Sequence, residues 1–154
     1  MEQKSEFTKL LDVVKLPSQG YFYSNGVDAL QMYYMTSLDE QLLLSPQLVQ
    51  SGLAFDKLIE RCMVDKGAIK IEDLLIGDKN KLLLFLRVSA YGAEYKVEVV
   101  SPYSGKKYVE TVDLLKIKDI TPETLNYNDK ISDKKTFTIT TSDKHVIEFK
   151  MLTV

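Results

Sequence analysis

The sequence holds 154 residues, 45% of them apolar and 27% charged, which fits one globular core and excludes both two large domains and wholesale disorder. Twenty basic residues against 22 acidic ones leave a net charge of -2, so the positive field behind most nonspecific nucleic-acid affinity is missing and a nucleic-acid partner is not expected. A single cysteine, Cys62, and a single histidine, His145, exclude an intramolecular disulfide and a Cys/His zinc cluster.

The start, Met1 to Phe7, carries no apolar run of the signal-peptide kind. The most apolar stretch, Lys81 to Arg87, falls far short of the roughly 18 residues of a membrane span. The expectation is a soluble chain, cytosolic where it is made.

After a polar arm, Val13 to Gly20 reads as an extended lead-in, because Pro17 pushes Leu16 out of the helical region and Gly20 permits a tight turn. Tyr21 to Tyr23 and, past Ser24-Asn25-Gly26, Val27 to Met35 are rich in β-branched and aromatic residues, with Leu30, Met32 and Tyr34 on one face. This predicts a hairpin packed on an apolar surface. Thr36 followed by Asp39 and Glu40 predicts a capped helix start.

That helix runs through Leu42 to Leu44 and breaks at Ser45-Pro46, and Leu48 and Val49 belong to another short turn. Leu53, Phe55, Leu58, Ile59 and Cys62 recur at helical spacing, which predicts an amphipathic helix over Gly52 to Met63. Ile71 to Ile76 reads as a short helical turn. Gly77-Asp78 then supplies a break and a cap for the most apolar helix, Lys79 to Ala90, expected at the centre of the core.

From Glu94 the period changes to two, and Tyr95, Val97 and Val99 mark a half-buried strand. A turn at Ser101 to Gly105 lets Lys107 to Val112 pair back on it. A last hairpin joins Thr136–Thr141 to His145–Leu152 about Ser142-Asp143-Lys144. The fold class is therefore α+β: antiparallel β-hairpins around a small helical middle section. The run Lys130 to Lys135 marks the boundary between a main domain, 1–130, and a C-terminal hairpin, 131–154, that could open a truncated second unit. Val27 to Thr36 and Val146 to Thr153 echo one another weakly, each a strand followed by Met and Thr.

Catalytic chemistry finds little footing, since no phosphate loop, nucleophile elbow or paired-histidine motif is present. His145 reads as a surface strand residue and Cys62 as a small core side chain. Asp39 and Glu40 read as helix-start charges. Arg87, one of two arginines, sits among Leu82 to Val88, where its guanidinium either fixes the domain internally or presents a fork to a partner. Nine tyrosines and six phenylalanines offer amphipathic anchors. The stiff Pro17, the flexible Gly20 and the aromatic run behind them make Leu16, Pro17, Gly20, Tyr21 and Tyr23 the candidate partner-binding residues. The alternative is that these aromatics close one end of the chain's own core.

The string Leu16-Pro17-Ser18-x-Gly20-x-x-Tyr23, then Met35-Thr36-x-x-Asp39-Glu40, Leu75-x-Gly77-Asp78 and Leu86-Arg87-x-x-x-Tyr91-Gly92-x-x-Tyr95, resembles the baseplate hub and hub-assembly proteins of large contractile-tailed bacteriophages. The resemblance spans most of the chain. It implies a non-enzymatic structural subunit or assembly factor without cofactors, located in the virion tail baseplate after synthesis in the host cytoplasm. The partners it implies are other hub proteins or tail-tube and tape-measure proteins, with an oligomer within a symmetric hub. A non-virion adaptor or chaperone for tail proteins is the alternative. Where similar sequences carry a Cys-Pro-x-Cys knuckle, this one has Ser101-Pro102-Tyr103-Ser104, which cannot form a thiolate metal site. Similar proteins also continue beyond the Met151-Leu152-Thr153 position into an acidic capped helix.

Overall fold

Pro17, Gly20 and Gly26 decide where the first hairpin turns. In the computed structural model, which describes residues 10–123 and 136–154, strand β1 (Leu11–Lys15) pairs antiparallel with β2 (Ala29–Tyr33), Val14 opposite Leu30. Residues 16–26 between them form a chain of tight turns: Gln19, Tyr21, Tyr23 and Gly26 donate their N–H groups to Leu16, Ser18, Gly20 and Tyr23. Tyr21 to Tyr23 therefore belong to the connection. This corrects the predicted hairpin, in which they formed a strand: Pro17 and a Gly20 at φ +73° curl the chain before it can extend.

Helix α1 (Ser37–Leu43) begins at Thr36 as predicted. Asp39, in its first turn, accepts hydrogen bonds from both the Thr36 N–H (2.9 Å) and the Thr36 hydroxyl (2.6 Å) on one carboxylate oxygen. The other oxygen pairs with Arg61 of α3. Pro46 opens α2 (Pro46–Gln50) and α3 follows as Ala54–Cys62. The predicted turn near Ile71 is a 3-10 turn, Ile71–Asp73.

Helix α4 spans Ile76–Tyr91, three residues earlier than predicted. Gly77 and Asp78 lie inside its first turn and do not break the chain ahead of it, because the Asp78 carboxylate is bound by a distant loop and the helix continues around it. Only Leu82 and Leu86 of its apolar run are fully buried. The helix thus flanks the core along one stripe instead of filling its centre.

The core gathers Val14, Leu30 and Met32 from the first hairpin, Leu58, Ile59, Cys62 and Met63 from α3 and its exit, and Leu82 and Leu86 from α4. Each large apolar side chain removed from water here contributes roughly 1.5–3 kcal/mol. The inner edge of β2 is closed by the α3 exit, where Val64 donates to the Gln31 carbonyl at 3.0 Å.

Strands β3 (Glu94–Val100) and β4 (Lys107–Asp113) form a second hairpin, and β5 (Thr136–Thr140) and β6 (Val146–Lys150) a third. Among the described residues each of the three sheets has two strands. The molecule is α+β, its helical middle set between hairpins. The predicted half-burial of β3 gives way to a mostly exposed strand, with no helix among the described residues packed across the ribbon. The C-terminal segment is stitched to the main body: Phe137 stacks between Phe22 and Phe149 with ring centroids 5.9 and 5.3 Å apart. Beyond it, Ile76 donates to Leu152 and Val154 to Leu74. The proposed boundary at Lys130 to Lys135 lies outside the described residues.

Asp39→Ala deletes the acceptor of the Thr36 groups and the counter-charge of Arg61. It is expected to lower the unfolding free energy by about 2 kcal/mol, read as a lower urea midpoint at unchanged denaturant slope.

Candidate protein-interaction site

The loop from Leu16 to Tyr23 is organised from inside. Asp78, 1% exposed, accepts the Ser18 N–H on one oxygen at 2.9 Å and the Tyr23 hydroxyl on the other at 2.6 Å. The same hydroxyl accepts the Leu75 N–H at 3.0 Å. A carboxylate in the first turn of α4 also faces the positive end of the helix dipole. Burial raises the Tyr23 hydroxyl above the ordinary tyrosine range, and its hydrogen bond to the Asp78 carboxylate adds to the rise.

Of the five residues expected to meet a partner, Leu16 is 2% exposed and Tyr23 8%, so both belong to the chain's own core. Gly20 is buried as well: a Cβ built there falls 2.5 Å from the Gly26 carbonyl oxygen, so only glycine lets the two turns touch. For these three the expected partner contact is corrected. The aromatic and apolar groups that looked like interface anchors are the plug of the first hairpin, drawn inward by the Asp78 carboxylate. Pro17 and Tyr21 stay half-buried. Pro17 lines a cavity of about 240 Å³ with Phe22, Leu75, Pro122, Phe137 and Met151, walled on one side by Ser18 and Asp78.

The other singled-out residues are also placed. Cys62 is buried in the α3 face of the core. His145 stands exposed where the last hairpin turns back, its carbonyl bonded to Thr141. Arg87 lies over the rings of Tyr91 and Tyr95, 4.6 and 5.5 Å from their centroids, with the Gly92 carbonyl 3.4 Å from its guanidinium. Among the described residues the guanidinium is thus held within its own chain, by stacking on these rings. Tyr91 donates its hydroxyl to Glu40, and that bond is the main reason its own titration moves upward. The described residues hold no group of three or more His, Cys, Asp or Glu side chains arranged for a metal, and no helix among them is long and apolar enough to cross a membrane.

Part of the exposed apolar surface lies on the ribbons, and part on the helices, where Leu38, Leu44, Val49 and Phe55 are open to solvent. Tyr95, Tyr108 and Val109 of β3–β4 and Ile139, Val146 and Ile147 of β5–β6 are open to solvent, and Tyr103 at the β3–β4 tip is 99% exposed. That tip is closed by Gly105, which donates to Ser101 at 2.9 Å, and by the Ser101 hydroxyl, which accepts from Ser104. Alternation of apolar and charged residues along β3 was the sequence signal for this surface. Alternation alone does not say whether a face meets a core or water.

No protein-family model, curated protein or solved structure matches this chain.

Two outcomes follow from the Asp78 node. Because the folded-state hydroxyl of Tyr23 ionises above the unfolded value near 10, the folded chain holds a proton that the unfolded chain releases, and stability falls as pH rises past about 10. Tyr23→Phe is expected to cost about 1–3 kcal/mol at neutral pH, since Asp78 and the Leu75 N–H lose a partner, and to flatten the alkaline decline in chemical denaturation measured between neutral and alkaline pH. Gly20→Ala is expected to lower the thermal midpoint, with Gly26→Ala, where a Cβ meets open space, costing less.

Proposed function

We propose that this chain is a structural subunit or assembly factor of the baseplate hub of a contractile phage tail, working by protein–protein binding. The observation that carries the reading is the contrast between a small, tightly wired body and the ribbons it leaves uncovered. Two-stranded ribbons are marginal in water by themselves, and here they carry open edges and exposed tyrosine, valine and isoleucine side chains. Such edges and patches suit strand addition and apolar docking by other proteins.

The motif behind the phage-hub resemblance supports the same reading from the inside. Its four segments are joined in two pairs, Ser18 and Tyr23 to Asp78 and Glu40 to Tyr91, and the last segment is braced within itself by Arg87 against Tyr91, Gly92 and Tyr95. The motif residues thus build a framework and leave the exposed ribbon surfaces to select partners. Those partners are other hub proteins or the tail-tube and tape-measure chains, and a net charge of -2 gives no attraction for nucleic acid.

Mass spectrometry of purified tails and of hub intermediates from infected cells tests the proposal. Peptides of this chain are expected in both. Their presence in intermediates alone identifies the non-virion adaptor instead, and their absence from both overturns the reading.

A further inference from the structure

We infer that the outer edge of β3 pairs with the same edge of a second copy of this chain, the two strands running antiparallel about a two-fold axis at Val97. The inference concerns this chain alone and does not depend on which assembly it serves.

Main-chain bonding sets which groups are available. The Ser101 N–H donates to the Lys106 carbonyl and the Leu114 N–H to the Ala93 carbonyl, both at 2.9 Å. In an antiparallel ladder bonded positions alternate, so the odd-numbered residues of β3 bond to β4. Glu94, Lys96, Glu98 and Val100 turn their N–H and C=O groups outward. No described strand lies beyond them.

The side chains then choose the register. A second β3 must bond through the same four residues, so the allowed two-fold registers centre on successive residues. Centred on Lys96, two lysines face each other and Glu94 faces Glu98; centred on Glu98, two glutamates face each other. Like charges directly opposite are destabilising. Centred on Val97, Lys96 faces Glu98 of the second copy and Glu98 faces its Lys96. On the other face Tyr95 meets Val99, Val97 meets its own counterpart, and all seven residues of the strand find a partner. A centre at Tyr95 also sets Glu94 against Lys96 but pairs less than half of each strand.

The Val97 register is self-complementary, as a two-fold interface requires, and offers up to about eight main-chain hydrogen bonds. It also extends an existing charge pattern: Glu98 already pairs with Lys107 of its own ribbon at 2.6 Å and would stand between two lysines. The β4 edge fits less well, since pairing it along its full length centres on Glu110 and sets that carboxylate against itself.

Sedimentation velocity of the full chain over a concentration series tests this, with circular dichroism confirming that each variant is folded. The wild-type chain is expected to form a dimer. Lys96→Glu and Glu98→Lys should each weaken dimerisation about tenfold or more, because each turns two attractive contacts into repulsive ones. An equimolar mixture of the two single variants should pair again, and so should the double variant Lys96→Glu with Glu98→Lys, since each restores opposite charges across the axis. A chain that stays monomeric at about 100 µM, a dimer indifferent to both reversals, or single variants that neither cross-pair nor regain pairing in the double variant would each overturn the inference.

Discussion

A buried carboxylate must be surrounded by donors or it ruins the core around it, and Asp78 is the place where this chain meets that demand. Its donors come from the loop between the first two strands, and one of them, the Tyr23 hydroxyl, is in turn bonded to the main chain at Leu75. On the far side of the same segment, Leu74 and Ile76 bond to the C-terminal residues Val154 and Leu152. One short stretch ahead of α4 thus joins the beginning, middle and end of the described chain.

The same device is used a second time. Asp39 stands third in α1 as Asp78 stands third in α4, and both are 1% exposed. The first turn of a helix has unpaired N–H groups and a partial positive charge, which eases the cost of placing an anion there. Each aspartate then spends its remaining lone pairs on a distant element: Arg61 of α3 in one case, the Ser18–Tyr23 loop in the other. In a chain of 154 residues the apolar core is small, and two such ties orient the helices where packing alone leaves freedom.

With its polar donors and large apolar groups committed to the centre, the fold has little left to cover the ribbons. β3–β4 and β5–β6 therefore reach into solvent with tyrosine, valine and isoleucine side chains uncovered. That surface is a liability for an isolated chain and an asset for a subunit, and it is why the functional reading rests on the hairpins and not on the loop that first drew notice.

Local chemistry was legible in the sequence wherever the nearest neighbours decide the outcome. The Thr36 cap with Asp39 behind it, the break at Pro46, the helical period through Cys62 and the turns at Ser101–Gly105 and Ser142–Lys144 all depend on residues within about one helical turn, and the α+β class follows from where the period switches from helical to alternating. The roles of Tyr23, Asp78 and Arg87 were not legible, because a hydroxyl, a carboxylate and a guanidinium can each face water, a partner or the core at the same sequence position. Only the tertiary structure brought Tyr23 within 2.6 Å of Asp78, 55 positions away, and turned an apparent interface anchor into a core residue. It also left most of β3 exposed, since alternation along a strand records that one face is apolar but not what will cover it.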